Sequence, residues 1–391
     1  MILFCALFFV YQSALLIFLI RGATKLSKLE TKAPLAKAPT LSIVVPARNE
    51  EDTIETGLRS LLKCEYPHLE IIVVNDRSTD GTLQRVESLS QNHPEVKILN
   101  LQELPENWLG KNHALQRGSE QSTSELILFT DADVEIESDF LKKAVCFLEE
   151  HRLDHLGGIP KVTSRSLILY PLVGVFGLGF SLFTRPWEGK DPSKDRAVGI
   201  GAFNLVRRNA YQKVGGHQSL AMRPDDDLKL ALVLKRAGFK TDCVNGVEGM
   251  EVEWYPSFLS LVRGLEKNVM TGFEYDFRLA FVGLFFFAAT FILPFALPFL
   301  TEGTALAFSL LAATALFLSY LGQLYLAKLP LWCLPFLPLA SPVIFTIFFR
   351  DCLLTYLRKG VTWRGTFYSL EHLRANRMPL PGTHSPNNKS R

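Results

Sequence analysis

Apolar residues are unevenly distributed along the 391 residues of this chain. Residues 1–20 are apolar and uncharged, residues 41–278 alternate short apolar runs with patterns of helical period, and long apolar runs return from Leu279 onward. In the middle stretch the runs 41–45, 69–74, 96–101 and 126–130 read as strands. Between them lie helical patterns, such as Ile54, Leu58, Leu61 and Leu62 on one face. Near-continuous apolar strands alternating with helices predict an α/β fold whose mostly parallel sheet is covered on both faces. In such a sheet the ligand crevice lies beyond the carboxyl ends of the strands. Polar clusters stand at those ends: Pro46-Ala47-Arg48-Asn49-Glu50, then Asn75 to Thr82, the loop 102–110, and Asp131-Ala132-Asp133. Past Asp133 the alternation loosens. Residues 167–183 are apolar, Gly-rich and contain Pro171, which suits either a core helix or a segment resting on a bilayer, since runs this short seldom span. Residues 198–206 read as a strand, and a helix from near Asp225 to Ala237 stops at Gly238.

The flanking apolar segments predict a membrane protein. Residues 279–300 and 304–327 are each long enough for a hydrocarbon core of about 30 Å, which takes about 20 helical residues. Residues 329–349 are equally apolar but carry Pro330, Pro335, Pro338 and Pro342, which points to a re-entrant or interfacial segment buried against the other helices. Positive charge follows the first run, at Arg21, Lys25, Lys28, Lys32 and Lys37. A cleavable signal peptide, the alternative reading, would carry it before the run. The expectation is an uncleaved anchor with Met1 outside and the next domain in the cytoplasm. Arg350, Arg358, Lys359, Arg364, Arg374 and Arg377 place the tail on the same side. The expected organisation is an anchor at 1–21, a Lys/Ala/Pro linker at 22–40, a catalytic domain at 41–278, a membrane region at 279–349 and a cytoplasmic tail at 350–391.

Composition changes this picture little. The 48% hydrophobic content and 29 Phe follow from the apolar ends, and a net charge of +3 offers no basic footprint for nucleic acid. The six cysteines form no CxxC pair, which argues against a zinc site or a disulfide framework and suits a reducing compartment.

The polar clusters carry the chemistry. Asp131 and Asp133 close an apolar strand, where two carboxylates can hold one divalent cation, and that cation can bind phosphate oxygens. Ser78, Thr79 or Asp80 can cap the helix after the second strand, which leaves Asp76 to accept from a nucleobase N–H. Lys111 begins a helix, where its charge opposes the dipole unless an anion such as a diphosphate lies nearby. Asp225-Asp226-Asp227 also opens a helix; one carboxylate suffices as a cap, and a spare one, repelled by its neighbours, suits a general base. Sugar transfer from a nucleotide diphosphate needs one base, plus cationic help for the leaving diphosphate.

Taken in order, these motifs resemble the family 2 glycosyltransferases of the GT-A fold over residues 41–271. Gly110-Lys111-Asn112-His113-Ala114-Leu115 resembles the stretch whose Lys reaches the donor, and Asp131-Ala132-Asp133 the DxD site. Gly199-Ile200-Gly201-Ala202-Phe203, followed by Gly215-Gly216-His217, resembles the strand and loop beside the acceptor. The resemblance implies donor binding by Pro46, Arg48, Glu50, Asp76, Lys111 and Asp131, a divalent metal (Mg²⁺ or Mn²⁺) on Asp131 and Asp133, and an acceptor side at Gly201, Ala202 and Phe203. The family's Glu-Asp pair stands eleven residues before a helix-ending Gly, which selects Asp227 as base and Asp226 in place of the Glu. Neighbouring Asp225 leaves that register ambiguous by one residue. No QxxRW follows; residues 261–268 stand in its region, which implies transfer of a single sugar.

The C-terminal part is similar to hopanoid-associated and carotenoid (diaponeurosporenoate) glycosyltransferases, through Trp363-Arg364-Gly365-Thr366-Phe367-Tyr368. Trp363 and Arg364 are therefore candidates for the acceptor side; an interfacial aromatic and basic anchor is the other reading. The expectation is an inverting transferase moving one sugar from a nucleotide-diphosphate sugar, UDP-linked in the first instance, to a lipid-like acceptor at the cytoplasmic membrane face. A polyprenyl-phosphate acceptor, for which Arg207, Arg208 and Arg263 supply charge, and a catalytically degenerate membrane scaffold are the alternatives. A dinucleotide oxidoreductase is disfavoured because no GxGxxG follows the first strand.

Overall fold

The computed structural model describes residues 1–30, 38–266, 268–363 and 366–380. Within these the chain forms two compact units. One comprises Leu26–Lys161 and Pro186–Glu253, and the other Met1–Lys25, Val162–Arg185 and Trp254–Leu380. This differs from the continuous span 41–278, because the apolar helix Leu169–Thr184 lies within the α/β stretch of sequence yet packs among helices.

The first unit is the α/β one. Its strands, with the exit strand, are β1 (Ser27–Lys28), β2 (Leu41–Ala47), β3 (Leu69–Asp76), β4 (Val96–Leu101), β5 (Leu126–Phe129), β6 (Val134–Ile136), β7 (His155–Ile159), β8 (Lys161–Thr163), β9 (Asn204–Arg207), β10 (Thr241–Asn245) and β11 (Met250–Glu253). Eight of them form a sheet of order β1-β10-β7-β9-β5-β2-β3-β4. All its pairings are parallel except those of β9, which runs against both β5 and β7. The expected mostly parallel sheet is thus present, with one reversed strand that hydropathy did not distinguish.

Side-chain alternation explains how the helices cover it. Ile43, Val45, Ile71, Val73, Leu126 and Leu128 point to one face, where Ile54 and Leu58 of helix Ile54–Leu62 and Ala144 and Leu148 of helix Phe140–Glu150 meet them. Burying each such Leu, Ile or Val contributes roughly 1.5–3 kcal/mol. On the other face, helix Gly110–Gln121 approaches so closely that a Cβ on Gly118 would lie 2.4 Å from Val44 Cγ1. Pro46 is accommodated because β2 pairs with β5 only as far as Val44, while its pairing with β3 continues to Ala47. Beyond Val44 the strand has one partner, and a missing N–H is tolerated there.

The reversal of β9 matters for function. Phe129 at the end of β5 pairs with Asn204 at the start of β9, so the residues before Asn204 arrive where the parallel strands end. The expected strand 198–206 is therefore shorter. Its first part is a turn closed by Phe203 N donating to Ile200 O at 2.9 Å.

The second unit is helical. Ile2–Lys25, Gly303–Leu326 and Leu331–Arg358 are long and apolar enough to cross a membrane, and Phe277–Phe291 with Leu293–Leu300 forms a pair bent by 40°. The expected break is therefore displaced: residues 279–300 are the bent segment, and 329–349 belong to a long helical one. Proline position gives the reason. Pro338 falls in the first turn of Leu337–Arg358 and Pro330 caps the short 3₁₀ turn ahead of it, where no helical bond is lost, although Pro335 and Pro342 stand inside these two elements. Pro294 follows a helix, and its missing N–H leaves the Thr290 carbonyl without its usual i+4 donor. Gln12 Nε2, from the first helix, donates to that carbonyl at 2.9 Å, and Tyr11 Oη lies 2.7 Å from Thr290 Oγ1.

Helix Leu169–Thr184 packs into this unit's core. Leu172, Val175 and Leu178 pack with Leu316, Tyr320 and Ile344, and Tyr320 donates to the Pro171 carbonyl at 3.0 Å.

Candidate active site

The site forms at the carboxyl edge of the sheet, within the α/β unit. After β5, Thr130 Oγ1 donates to Ala202 O at 2.8 Å and Asp131 N donates to Gly201 O at 3.0 Å. Gly201 N in turn donates to Asp227 Oδ2 at 2.8 Å. The Gly201 backbone thus links the DxD strand end to the start of helix Asp226–Arg236. A Cβ there would lie 2.5 Å from Asp131 Oδ2 and 3.2 Å from Lys111 Nζ, so glycine is required by close approach. Lys111 Nζ reaches Asp131 Oδ1 at 2.6 Å. Lys111, Asp131, Gly201, His217, Asp226 and Asp227 line one small cavity.

Three consecutive aspartates receive three different environments. Asp225 is held bidentately by Arg223, at 2.9 and 2.8 Å, with Lys229 Nζ at 3.7 Å. Asp226 is buried, with Oδ2 3.7 Å from His217 Nε2. Asp227 is half-buried and accepts from Gly201 N and, at 2.8 Å, from Leu228 N. The one-residue ambiguity narrows accordingly, because Asp225 is engaged by cations while Asp226 and Asp227 face the cavity.

The electrostatics suit proton transfer beside an anion. Burial, reinforced by Asp226, pushes the Asp227 carboxyl up to about 6, against the pull of Lys111. Burial also opposes the Lys111 charge, but Asp131, Asp226 and Asp227 outweigh it and hold the ammonium above its ordinary range. Asp133 is pushed up to about 7 by burial and then by Asp131 and Glu50. Asp133 thus lies in crowded negative charge that a cation would relieve. Among the described residues no three His, Cys, Asp or Glu side chains form a complete metal cage. Two carboxylates completed by phosphate oxygens and water is a donor set that Mg²⁺ accepts, so Asp131 and Asp133 fit such an ion.

The remaining expected donor residues gather at the same edge. Asp76, at the end of β3, is buried and bound bidentately by Arg77 at 2.7 and 3.0 Å, with Arg48 Nη1 3.9 Å away. It is therefore not left over, as the capping argument implied, although a carboxylate's remaining lone pairs can still accept. Its Oδ2 would lie 2.4 Å from a Cβ on Gly110, which sets it beside the residue preceding Lys111. Leu109 at the N-cap of that helix supplies no side-chain cap, so the first-turn N–H groups suit an anion. Glu50 N donates to Thr82 Oγ1 at 2.8 Å, and Thr79 N to Asn49 Oδ1 at 2.8 Å, which ties the loops after β2 and β3 together.

Other expected residues stand elsewhere. Phe203 is fully buried against Phe140, ring centroids 5.3 Å apart, and Ala202 is buried too, so both support the loop and Gly201 alone of the three lines the cavity. Trp363 lies in a hairpin of the helical unit, paired with Thr366, and Arg364 falls outside the described residues. Arg207, one cation available for an anionic acceptor, is engaged by Glu149 and the Leu153 carbonyl, each at 2.9 Å.

Two residues escaped sequence reasoning. Asn112 Nδ2 donates to Leu220 O at 2.6 Å and Arg223 O at 2.9 Å, bolting the Lys111 helix to the loop that leads into the aspartates. His217 faces Asp226. Both sat inside quoted motifs, but nothing in their spacing revealed a partner about a hundred residues away (Asn112) or nine residues on (His217).

A mostly parallel sheet with one reversed strand, and with acidic groups and a lysine at its carboxyl edge, is a GT-A-like arrangement. The mannosyltransferase of Pyrobaculum calidifontis in complex with GDP-Man and Mn²⁺ shares this fold, with a TM-score of 0.56 and 20% identity over 92% of this chain and 100% of that one. Residues 42–215 match the model of Glycosyl transferase family 2. Among curated relatives, the 4,4'-diaponeurosporenoate glycosyltransferase of Staphylococcus haemolyticus (strain JCSC1435) is 22% identical over 239 residues, 60% of this chain and 62% of the relative. That of Staphylococcus aureus (strain N315) is 26% identical over 252 residues, 63% and 64% of the two lengths. The matches thus span less than two thirds of these relatives.

Proposed function

We propose that this chain is a membrane-associated, inverting glycosyltransferase that moves one sugar from a nucleotide-diphosphate sugar, probed first as a UDP-sugar, to a hydroxyl of a lipid-like acceptor at the cytoplasmic membrane face. The observation that carries the reading is the single cavity shared by Lys111, Asp131, Asp226 and Asp227. The GDP-Man in the Pyrobaculum calidifontis neighbour and the carotenoid-type name of the curated relatives support a nucleotide donor and a lipid acceptor respectively.

Each residue has a part in the chemistry. Asp76 and Arg48 bind the nucleotide, while Lys111 and its helix N-terminus take the diphosphate. Asp131 and Asp133 would hold a divalent cation, which when bound neutralises charge on the departing diphosphate. Asp227 accepts the proton of the acceptor hydroxyl as that oxygen bonds to the anomeric carbon and the carbon–phosphate oxygen bond breaks. A carboxyl near 6 is ionised at neutral pH yet basic enough to take that proton.

Single transfer is supported by the absence of QxxRW, in whose region Glu266 instead pairs with Arg350 at 3.2 Å and Arg358 at 2.5 Å. Membrane association is supported by the three long apolar helices. With those three crossing and the bent pair re-entrant, the α/β unit and the residues after Arg358 share one side, as their basic residues favour. The test is hydrolysis of UDP-glucose, UDP-N-acetylglucosamine and GDP-mannose by the purified full chain. Turnover of at least one, lost in Asp227→Asn, is expected; no turnover of any donor would count for the degenerate scaffold.

A further inference from the structure

His217 has no part in the chemistry above, yet it lines the same cavity and is 1% exposed. A buried histidine more often fills a core, so its partners decide. Gly215 and Gly216, with φ of +80° and +57°, turn the chain so sharply that a Cβ on Gly216 would lie 2.6 Å from Tyr211 Cζ. This brings His217 N to donate to Tyr211 Oη at 3.0 Å, while Nδ1 of the same histidine lies 2.8 Å from that oxygen. Phe129 abuts the imidazole edge-on, centroids 4.7 Å apart, and fixes its plane.

The donors around Tyr211 can be counted. Its oxygen accepts the His217 backbone N–H, and Ser119 Oγ is 3.2 Å away. The single phenol proton can go to His217 Nδ1 at 2.8 Å or to Gln116 Oε1 at 3.2 Å, and that amide oxygen already accepts from Gln218 N at 3.2 Å. With either proton arrangement Tyr211 and Phe129 hold the ring in one plane, with Nε2 turned toward Asp226. Nε2 lies 3.7 Å from Asp226 Oδ2, a polar contact longer than a direct hydrogen bond.

We infer that His217 is a positioning residue, held by Tyr211 and Phe129 so that its imidazole fixes where the Asp226 carboxyl lies beside the base. The proposal rests on the reading of Asp227 as that base. The negative charge of Asp226 is the second largest influence, after burial, raising the proton affinity of Asp227. An imidazole that holds Asp226 in place therefore acts on turnover through the base's neighbour.

The test uses the full chain reconstituted in nanodiscs and the nucleotide sugar that supports turnover in the panel above. His217→Phe keeps the ring volume and removes both nitrogens; kcat should fall about 3- to 10-fold, the weight of one modest polar contact, with donor KM within twofold. His217→Gln restores a polar group at that place and should recover most of the loss. Tyr211→Phe removes one oxygen and should also lower kcat, and adding it to His217→Phe should cost nothing more. Wild-type kcat in His217→Phe, beside an inactive Asp227→Asn, would overturn the proposal and leave the base intact. An active Asp227→Asn would instead remove the reading beneath it. If His217→Phe fails to bind UDP, Tyr211→Phe decides: unchanged kcat there overturns the proposal.

Discussion

Replacing Gly201 with alanine puts one methyl group where the site has room for none. The new Cβ would stand 2.5 Å from Asp131 Oδ2 and 3.2 Å from Lys111 Nζ, against ordinary contact from 3.4 Å outward. The loop or the carboxylate must give way by about 1 Å, and misplacement of that size costs on the order of 10² in rate. Relief in either direction disturbs a functional contact. Moving the loop strains Gly201 N to Asp227 Oδ2, and moving the carboxylate loosens the 2.6 Å pair between Asp131 and Lys111. Donor kcat/KM should therefore fall about 100-fold in Gly201→Ala, or about 2.7 kcal/mol in the barrier. The assay is initial-rate release of UDP from the donor, with thermal unfolding measured in parallel. Gly238→Ala is the control. Its φ of +87° strains an alanine, but nothing lies within 4 Å, so it should lose about 1–2 kcal/mol of stability and keep its rate. A Gly201→Ala rate within threefold of wild type would refute the argument from close approach.

Three further outcomes follow from the same geometry. Because the Asp227 carboxyl is pushed up to about 6 and acts ionised, kcat/KM should fall as pH drops below about 6 and level off above it. Asp227→Asn should abolish that limb and lower turnover by about 10² to 10⁴; a severe Asp226→Asn beside a mild Asp227→Asn would move the base by one residue. Asp131→Ala and Asp133→Ala should each weaken UDP binding most when Mg²⁺ or Mn²⁺ is present, and full activity in excess EDTA would contradict a metal-assisted reaction. Gln12→Leu should lower the thermal midpoint of the detergent-solubilised chain, since an unsatisfied Thr290 carbonyl costs about 1–3 kcal/mol; an unchanged midpoint would mean the break needs no such support.

What the sequence disclosed, and what it hid, divides along physical lines. The runs that became β2, β3, β4 and β5 were legible because strands buried on both faces leave no polar alternation. Asp131, Lys111 and Asp227 were legible as chemistry because each stood at a strand end or helix start, and the structure brings them to one cavity. The reversed β9 was not, since hydropathy carries no strand direction. The bend at Ile292 was not legible from proline count: Pro342 stands inside the helix Leu337–Arg358, whereas Pro294 lies just past the end of Phe277–Phe291. Phe203 was placed near the acceptor by its neighbours in sequence, yet its ring turns into the core against Phe140. The division of labour among Asp225, Asp226 and Asp227 appeared only once Arg223 and His217 were seen beside them.

The central claim is base-driven transfer of one sugar to a lipid, and the most direct measurement is the structure of the product. The full chain in nanodiscs would be given an α-linked UDP-sugar with a carbon-13 anomeric label and a total bacterial lipid extract, and the glycolipid formed would be analysed by NMR and mass spectrometry. One sugar per lipid in β linkage is expected, and none with Asp227→Asn. Retained α linkage, a ladder of longer products, or a normal yield from Asp227→Asn would contradict it.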